Sequence, residues 1–231
     1  LPSGVPGGSG RPPGAAFEAG LTVTFFRLKP GHLLEPGRAL CGETVVADIG
    51  IPESVLPAIA PATFRNAPAL WDAAFPRPAR AQHKYARGHV AVFSGGRSST
   101  GAGRLSAMAA ARVGAGAVTV YSPAAALAVN AAHLTSIMLR KVEDAADVRE
   151  ALAARMADAF VLGPGFGLDR EVKGTVLQLL NEDIRATLVL DADGITAFRD
   201  DPGALFAAAR ASRLALVLTP HEGEFARLFP D

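Results

Sequence analysis

The stretch TPHEGEF, Thr219 to Phe225, follows an apolar run and sets one imidazole, His221, beside a hydroxyl and two carboxylates, Glu222 and Glu224. A helical zinc site wants a second histidine four residues on, and none follows. A serine nucleophile would sit in a Gly-x-Ser-x-Gly elbow, which the chain lacks. A helix start fits better. Thr219 can be the N-cap, Pro220 takes the first helical position, and Glu222 lies three residues after Thr219 as in a capping box. That register turns Phe225 and Leu228 toward the core. Capping does not explain an imidazole at the tip of an apolar run, so His221 is expected to contact a ligand.

Three other stretches have chemical potential. GGRSSTGAGR (95–104) offers small residues and a helix start, suited either to an anion or to tight packing. Gly96 and Gly101 have Walker A spacing, but Ala102 and Gly103 replace the lysine and hydroxyl that loop requires. It is not a dinucleotide fingerprint either, because position 106 is serine. GPGFG (163–167) exposes bare backbone amides, which favours a ligand loop over a plain turn. In DADGITAF (191–198), Asp193 is placed to cap the next helix, and Asp191 is the better candidate for substrate or a magnesium-bearing phosphate. Lys84 and Arg87 could approach phosphates or simply be solvated.

Each stretch follows a short apolar run: HVAVFSG (89–95), FVLG (160–163), TLVLDA (187–192) and LALVLT (214–219), with AVTVYS (117–122) as a fifth. Helical patterns lie between them at 101–116, 123–132, 145–157, 169–182 and 202–212. This alternation predicts βα units and a mostly parallel sheet with helices on both faces. Ligands of such sheets bind at the carboxyl ends of the strands, so the four polar or glycine-rich turns are expected to form one composite site.

The first 82 residues differ. LTVTFF (21–26) and ETVVADI (43–49) read as strands separated by Pro-Gly turns, too few to bury a core alone. Residues 53–82 are proline-rich and read as a linker with a short helix around Ala69–Ala74. The opening LPSGVPGGSGRPPG has neither an initiator methionine nor a signal-peptide plan, and reads as the interior of a longer protein. The 231 residues are 49% hydrophobic and 19% charged, with a net charge of +1, which suits globular domains. Near-neutrality gives no reason to expect nucleic acid or an anionic membrane as partner. Cys41 is the only cysteine, which excludes an intrachain disulfide, makes structural zinc improbable and points to a reducing, cytoplasmic setting. No apolar run reaches the roughly 18 residues of a membrane span.

Taken in order, KYARGHVAVFSGGRSSTGAGRLSAMAAARVGAGAVTV, VLGPGFG, LVLDADG and VLTPHEGEFARL resemble the ADP- or ATP-dependent NAD(P)H-hydrate dehydratases over residues 83–231. Residues 1–52 resemble the closing part of the NAD(P)H-hydrate epimerase domain, which many bacteria fuse ahead of the dehydratase. The resemblance implies a ribokinase-like α/β domain at 83–231, a linker at 53–82 and a fragment of a Rossmann-like epimerase domain at 1–52. It also implies metabolite repair. The epimerase interconverts the two hydrate epimers. The dehydratase phosphorylates the added hydroxyl of the S epimer from ADP or ATP with magnesium, then eliminates phosphate.

Matched residue by residue, Ala102, Gly165 and His221 fall on hydrate-binding positions, Asp191 on the strand-tip aspartate beside them, and Ser3 on a potassium ligand of the epimerase. The resemblance implies a small-molecule nucleotide as partner and leaves a homo-oligomer open. The catalytic aspartate of a Gly-x-Gly-Asp loop is expected after residue 231, and the early epimerase ion ligands before residue 1. The chain is therefore expected to be cut at both ends and inactive alone, its activity belonging to the full-length protein. A small-molecule kinase of the same fold and a non-catalytic nucleotide-binding module are the alternatives. TPHEGEF with GPGFG favours hydrate repair.

Overall fold

The structure, a computed structural model, describes residues 1–77, 79, 81–154, 157–168 and 171–229. It divides into two compact units, Leu1–Phe75 and Pro76–Asp231.

In the first unit, β1 (Leu21–Phe25) precedes α1 (Gly37–Cys41), β2 (Glu43–Ala47), α2 (Leu56–Ile59) and α3 (Pro68–Trp71). The last lies slightly ahead of the helix expected around Ala69–Ala74, and Pro78 and Arg80 of the expected linker lie outside the described residues. β1 and β2 pair in parallel with Val23 opposite Val45. Thr22 and Thr24 turn inward, while Leu21, Val23, Phe25 and Val45 remain 41–57% exposed. Parallel strands are normally covered on both faces, and within the described residues this pair has no cover on its apolar side. The lone thiol, Cys41, is buried with its Sγ 3.9 Å from Gly31 O.

The second unit runs β3 (His89–Phe93), α4 (Thr100–Val113), β4 (Ala117–Ser122), α5 (Ala124–His133), β5 (Met138–Lys141), α6 (Ala145–Ala154), β6 (Ala159–Leu162), α7 (Val172–Asn181), β7 (Thr187–Leu190), α8 (Asp193–Thr196), α9 (Pro202–Ala211), β8 (Ala215–Leu218) and α10 (Glu222–Leu228). The helices expected over 145–157 and 169–182 run into Arg155, Met156, Asp169 and Arg170, which lie outside the described residues. All neighbouring strands are parallel, in the order β5-β4-β3-β6-β7-β8. β5 has no counterpart in the sequence reading. Its MLRK places two basic residues on an edge strand, where charge blunts unwanted pairing and erases the apolar signal.

Alternation along the strands builds two cores, one on each face. Ala91, Phe93, Phe160, Leu162, Leu188 and Leu190 pack with residues of α6, α7, α8, α9 and α10. Val92, Val118 and Val120 pack with Ala107 and Ala110 of α4 on the other side. The expected α/β sheet with helices on both faces is what forms. The chain leaves β3 outward through β4 and β5, then returns to place β6 on the other side of β3. Such a reversal sends the helices that follow the two central strands, α4 and α7, to opposite faces, and ligands of such sheets bind at the carboxyl ends of these strands.

Candidate active site at the carboxyl edge of the sheet

β3, β6, β7 and β8 are adjacent, so the four turns singled out in the sequence emerge side by side. After β6, Phe166 donates to Gly163 O at 2.9 Å. Pro164 and Gly165, the latter with φ +65°, fill the two central positions, as a type II turn requires. This turn lies against the loop after β3. A Cβ on Gly95 would stand 1.8 Å from Gly165 O, and one on Gly165 would stand 3.8 Å from Ala102 Cβ. Ala102 and Gly165 are therefore brought together. On the other side, a Cβ on Gly163 would stand 1.8 Å from Asp191 O, which joins the strand-tip aspartate to the same assembly. Among the described residues, the amides of Gly95, Gly96 and Gly165 meet no acceptor, leaving donors along the crevice. Phe93 and Phe166 are buried in the core: Phe93 contacts Tyr121 edge-on at 5.3 Å and Phe166 at 6.2 Å between ring centroids. Burial raises the Tyr121 phenol pKa and keeps it neutral.

Asp193 does not cap α8 as expected. It is the first residue of that helix, and the residue before it, Ala192, turns through φ 47° and ψ −115° without a side-chain cap. The turn sends the Asp193 carboxylate across to the glycine loop, where Oδ2 accepts from Gly167 N at 2.8 Å. An alanine held at positive φ is strained, and such strain gathers at functional sites. The sequence has no signal for either feature, since nothing marks Ala192 as left-handed. Asp193→Ala is expected to lower stability by about 1 kcal/mol, the usual net worth of one hydrogen bond. It should also speed amide exchange at Gly167, whereas Asp193→Asn, which keeps an acceptor, should do neither. Hydrogen exchange with chemical denaturation checks both.

The helix start in TPHEGEF lies two residues later than expected. Thr219 is held to the sheet by both its amide and its hydroxyl, which donate to Leu190 O at 3.2 and 3.4 Å, and the hydroxyl caps no helix amide. His221 is the N-cap instead: its Nδ1 accepts from Gly223 N at 3.0 Å and Glu224 N at 3.3 Å. Glu224, not Glu222, closes the capping box by accepting from His221 N at 3.0 Å. Glu224 is buried, and its other oxygen lies 3.2 Å from His221 Nε2. With the shift, Leu228 is buried as expected, while Phe225 is 53% exposed and packs on Phe229 at 4.6 Å between ring centroids. The imidazole expected to serve a ligand thus holds its own helix, with two-thirds of its surface still open to solvent.

Lys84 and Arg87 stand ahead of β3, at the amino-terminal edge of the sheet and away from the glycine loops. Lys84 O abuts Gly116, just before β4, and Lys84 Nζ sits 5.0 Å from the centre of the Tyr85 ring. They are not placed for phosphates at the opposite edge. Ser3 belongs to the first unit, where it is exposed and lines a cavity of about 230 Å³ with Gly4, Ala15, Ala16 and Phe17. Among the described residues no group of three or more His, Cys, Asp or Glu side chains could hold a metal ion.

A family model described as NAD(P)H-hydrate dehydratase matches residues 90–231. The chain belongs to the NAD(P)H-hydrate dehydratase family. A bifunctional NAD(P)H-hydrate repair enzyme of Coxiella burnetii is 36% identical over 232 residues, covering 99% of this chain and 44% of the relative. The chain thus spans less than half the length of that curated relative. A ribokinase-like superfamily protein from Enterococcus faecalis shares the fold, with a TM-score of 0.52 at 24% identity over 67% of this chain and 52% of its own. So does an ADP/ATP-dependent NAD(P)H-hydrate dehydratase from Bacillus subtilis co-crystallized with ATP/Mg2+, with a TM-score of 0.51 at 22% identity over 66% of this chain and 51% of its own. In this member of the dehydratase family, Ala102, Gly165 and Asp191 lie on loops that touch, and His221 follows the strand next in line. No helix among the described residues is long and apolar enough to cross a membrane.

Proposed function

We propose that the carboxyl edge of the larger sheet binds the S epimer of NAD(P)H hydrate, and that the second unit is the substrate side of an ADP- or ATP-dependent dehydratase. The observation that carries this reading is the backbone contact between the 95–102 and 163–167 loops, with Ala102 against Gly165. Small residues let the nicotinamide ring approach the bare amides of Gly95, Gly96 and Gly165. Asp191 at the strand tip orients the added hydroxyl, and His221 offers the exposed face of its ring, its two nitrogens being engaged within the helix start, to the nicotinamide. Hydroxide is a poor leaving group and phosphate a good one, while the ring nitrogen can push electrons toward the departing group. Bound ADP or ATP with magnesium would supply the phosphoryl group; the chain's own residues bind and orient the hydrate.

The first unit, on this reading, is part of an epimerase domain, and residues 53–82 link the two. Ser3 would serve as one potassium ligand there. The cavity it lines contains no carboxylate, so the described residues do not complete a potassium site. A cytoplasmic enzyme acting on small nucleotides, with or without self-association, follows from the same reading.

Calorimetric titration of the chain with S-NADPH hydrate tests the proposal. Saturable binding, with unhydrated NADPH at least tenfold weaker, is the expected result. Equal affinity for the two, or none for the hydrate, overturns it, and a sugar or vitamin alcohol that binds instead would favour a kinase.

A further inference from the structure

A buried polar network lies under the crevice, on residues that the hydrate reading does not use. Asn130 of α5 is fully buried, and its amide nitrogen donates to Ser94 Oγ at 2.9 Å and to Ser122 Oγ at 3.0 Å. Ser94 follows β3 and Ser122 ends β4, and both are fully buried. Each hydroxyl passes its own hydrogen on, Ser94 to Gly95 O at 3.2 Å and Ser122 to Pro123 O at 3.1 Å. The network therefore has one direction: a group with two donors feeds two hydroxyls, and these feed two backbone carbonyls. Asn130 Oδ1 is buried with no partner among the described residues. An unsatisfied buried carbonyl opposes stability, and a leucine of similar size would avoid it. Packing alone gives no reason for an asparagine here.

The network ends where the site begins. Ser94 sets Gly95, whose missing Cβ would overlap Gly165 O at 1.8 Å, so the two loops meet with no slack. Ser94 also supports α4: a Cβ on Gly103 would lie 3.3 Å from Ser94 Cα, beside Ala102 in the same turn. We propose that Asn130 is a positioning residue for the nicotinamide-hydrate site, which orients Ser94 and Ser122 so that Gly95, Gly165 and Ala102 stay in register. This inference rests on the hydrate reading above, and it adds a residue on α5 that touches no ligand.

Asn130→Leu removes both donors, and Asn130→Asp reverses the network, because the serine hydroxyls would donate to the carboxylate and release Gly95 O and Pro123 O. In both variants, amide exchange at Ser99, whose N–H donates to Gly96 O at 3.0 Å within the loop after β3, is expected to quicken at least tenfold in the ligand-free protein. Affinity for S-NADPH hydrate should fall about tenfold while thermal unfolding stays cooperative. Should either variant fail to fold, Ser94→Ala, which removes a single hydroxyl, carries the same expectations. Unchanged exchange at Ser99 overturns the positioning role, whatever happens to stability. Quickened exchange with undiminished hydrate affinity overturns it as well. Wild-type protein that does not bind the hydrate, with loops that loosen in the variants, overturns the hydrate reading and leaves Asn130 as the anchor of the loops.

Discussion

Gly163→Ala is expected to destabilise the second unit by about 3 kcal/mol or more and to abolish hydrate binding. Gly163 has φ +121°, a conformation that a Cβ strains, and its added Cβ would stand 1.8 Å from Asp191 O and 2.9 Å from Asp191 C. Both obstacles are backbone, so no side chain can swing away. The β6 turn must lift or β7 must retreat, and overpacking of this kind costs about 1–3 kcal/mol before the φ penalty is added. Gly95→Ala should come close to it, since its Cβ would meet Gly165 O at 1.8 Å without the positive φ. Gly101→Ala is the internal control. Its Cβ would meet nothing within 4 Å, and it lies in the first turn of α4. It should be neutral or stabilise by up to about 1 kcal/mol. Chemical denaturation of the three variants checks the order. A Gly163→Ala protein as stable as the Gly101→Ala protein would mean that the β6 and β7 loops do not touch as described.

His221 yields the second large effect, because it joins a structural role to a proposed binding role. His221→Ala should lose about 1 kcal/mol of stability, the usual worth of an N-cap. It should also lose at least thirtyfold in hydrate affinity, about 2 kcal/mol. His221→Asn separates the two. Asparagine is among the best N-cap residues, so stability should return while affinity does not. Wild-type affinity in His221→Asn would make His221 a helix cap and nothing more.

Much of the second unit was legible because its buried strands are continuous apolar runs and its exposed helices keep their period. HVAVF, AVTVYS and TLVL read correctly for that reason, and the glycine-rich turns could be assigned to one edge once the strands were parallel. What escaped depended on partners distant in sequence. MLRK is a strand only because β4 offers it an edge. The helix start at Thr219 had the right motif in the wrong register: the amide and the hydroxyl of Thr219 both donate to Leu190 O across the sheet. Asp193 caps nothing because Ala192 takes a left-handed turn that no alanine advertises. The loops that hold Ala102, Gly165 and Asp191 were singled out by their glycines and strand-tip carboxylate, Ala102 and Gly165 themselves only by resemblance, and the structure joins those loops by backbone contact. Asn130 could not have been found, since an asparagine within AAALAVNAAH looks like a polar interruption until Ser94 and Ser122 close on it.

The central claim is that nicotinamide hydrate binds at the carboxyl edge of β3, β6, β7 and β8. Amide chemical-shift mapping of isotope-labelled protein, titrated with S-NADPH hydrate, tests it most directly. Saturable shifts are expected at Gly95, Gly96, Ala102, Gly165 and His221, with Lys84, Arg87 and the Leu1–Phe75 unit undisturbed. Shifts confined to the first unit, or none in the glycine loops at saturating hydrate, would contradict it.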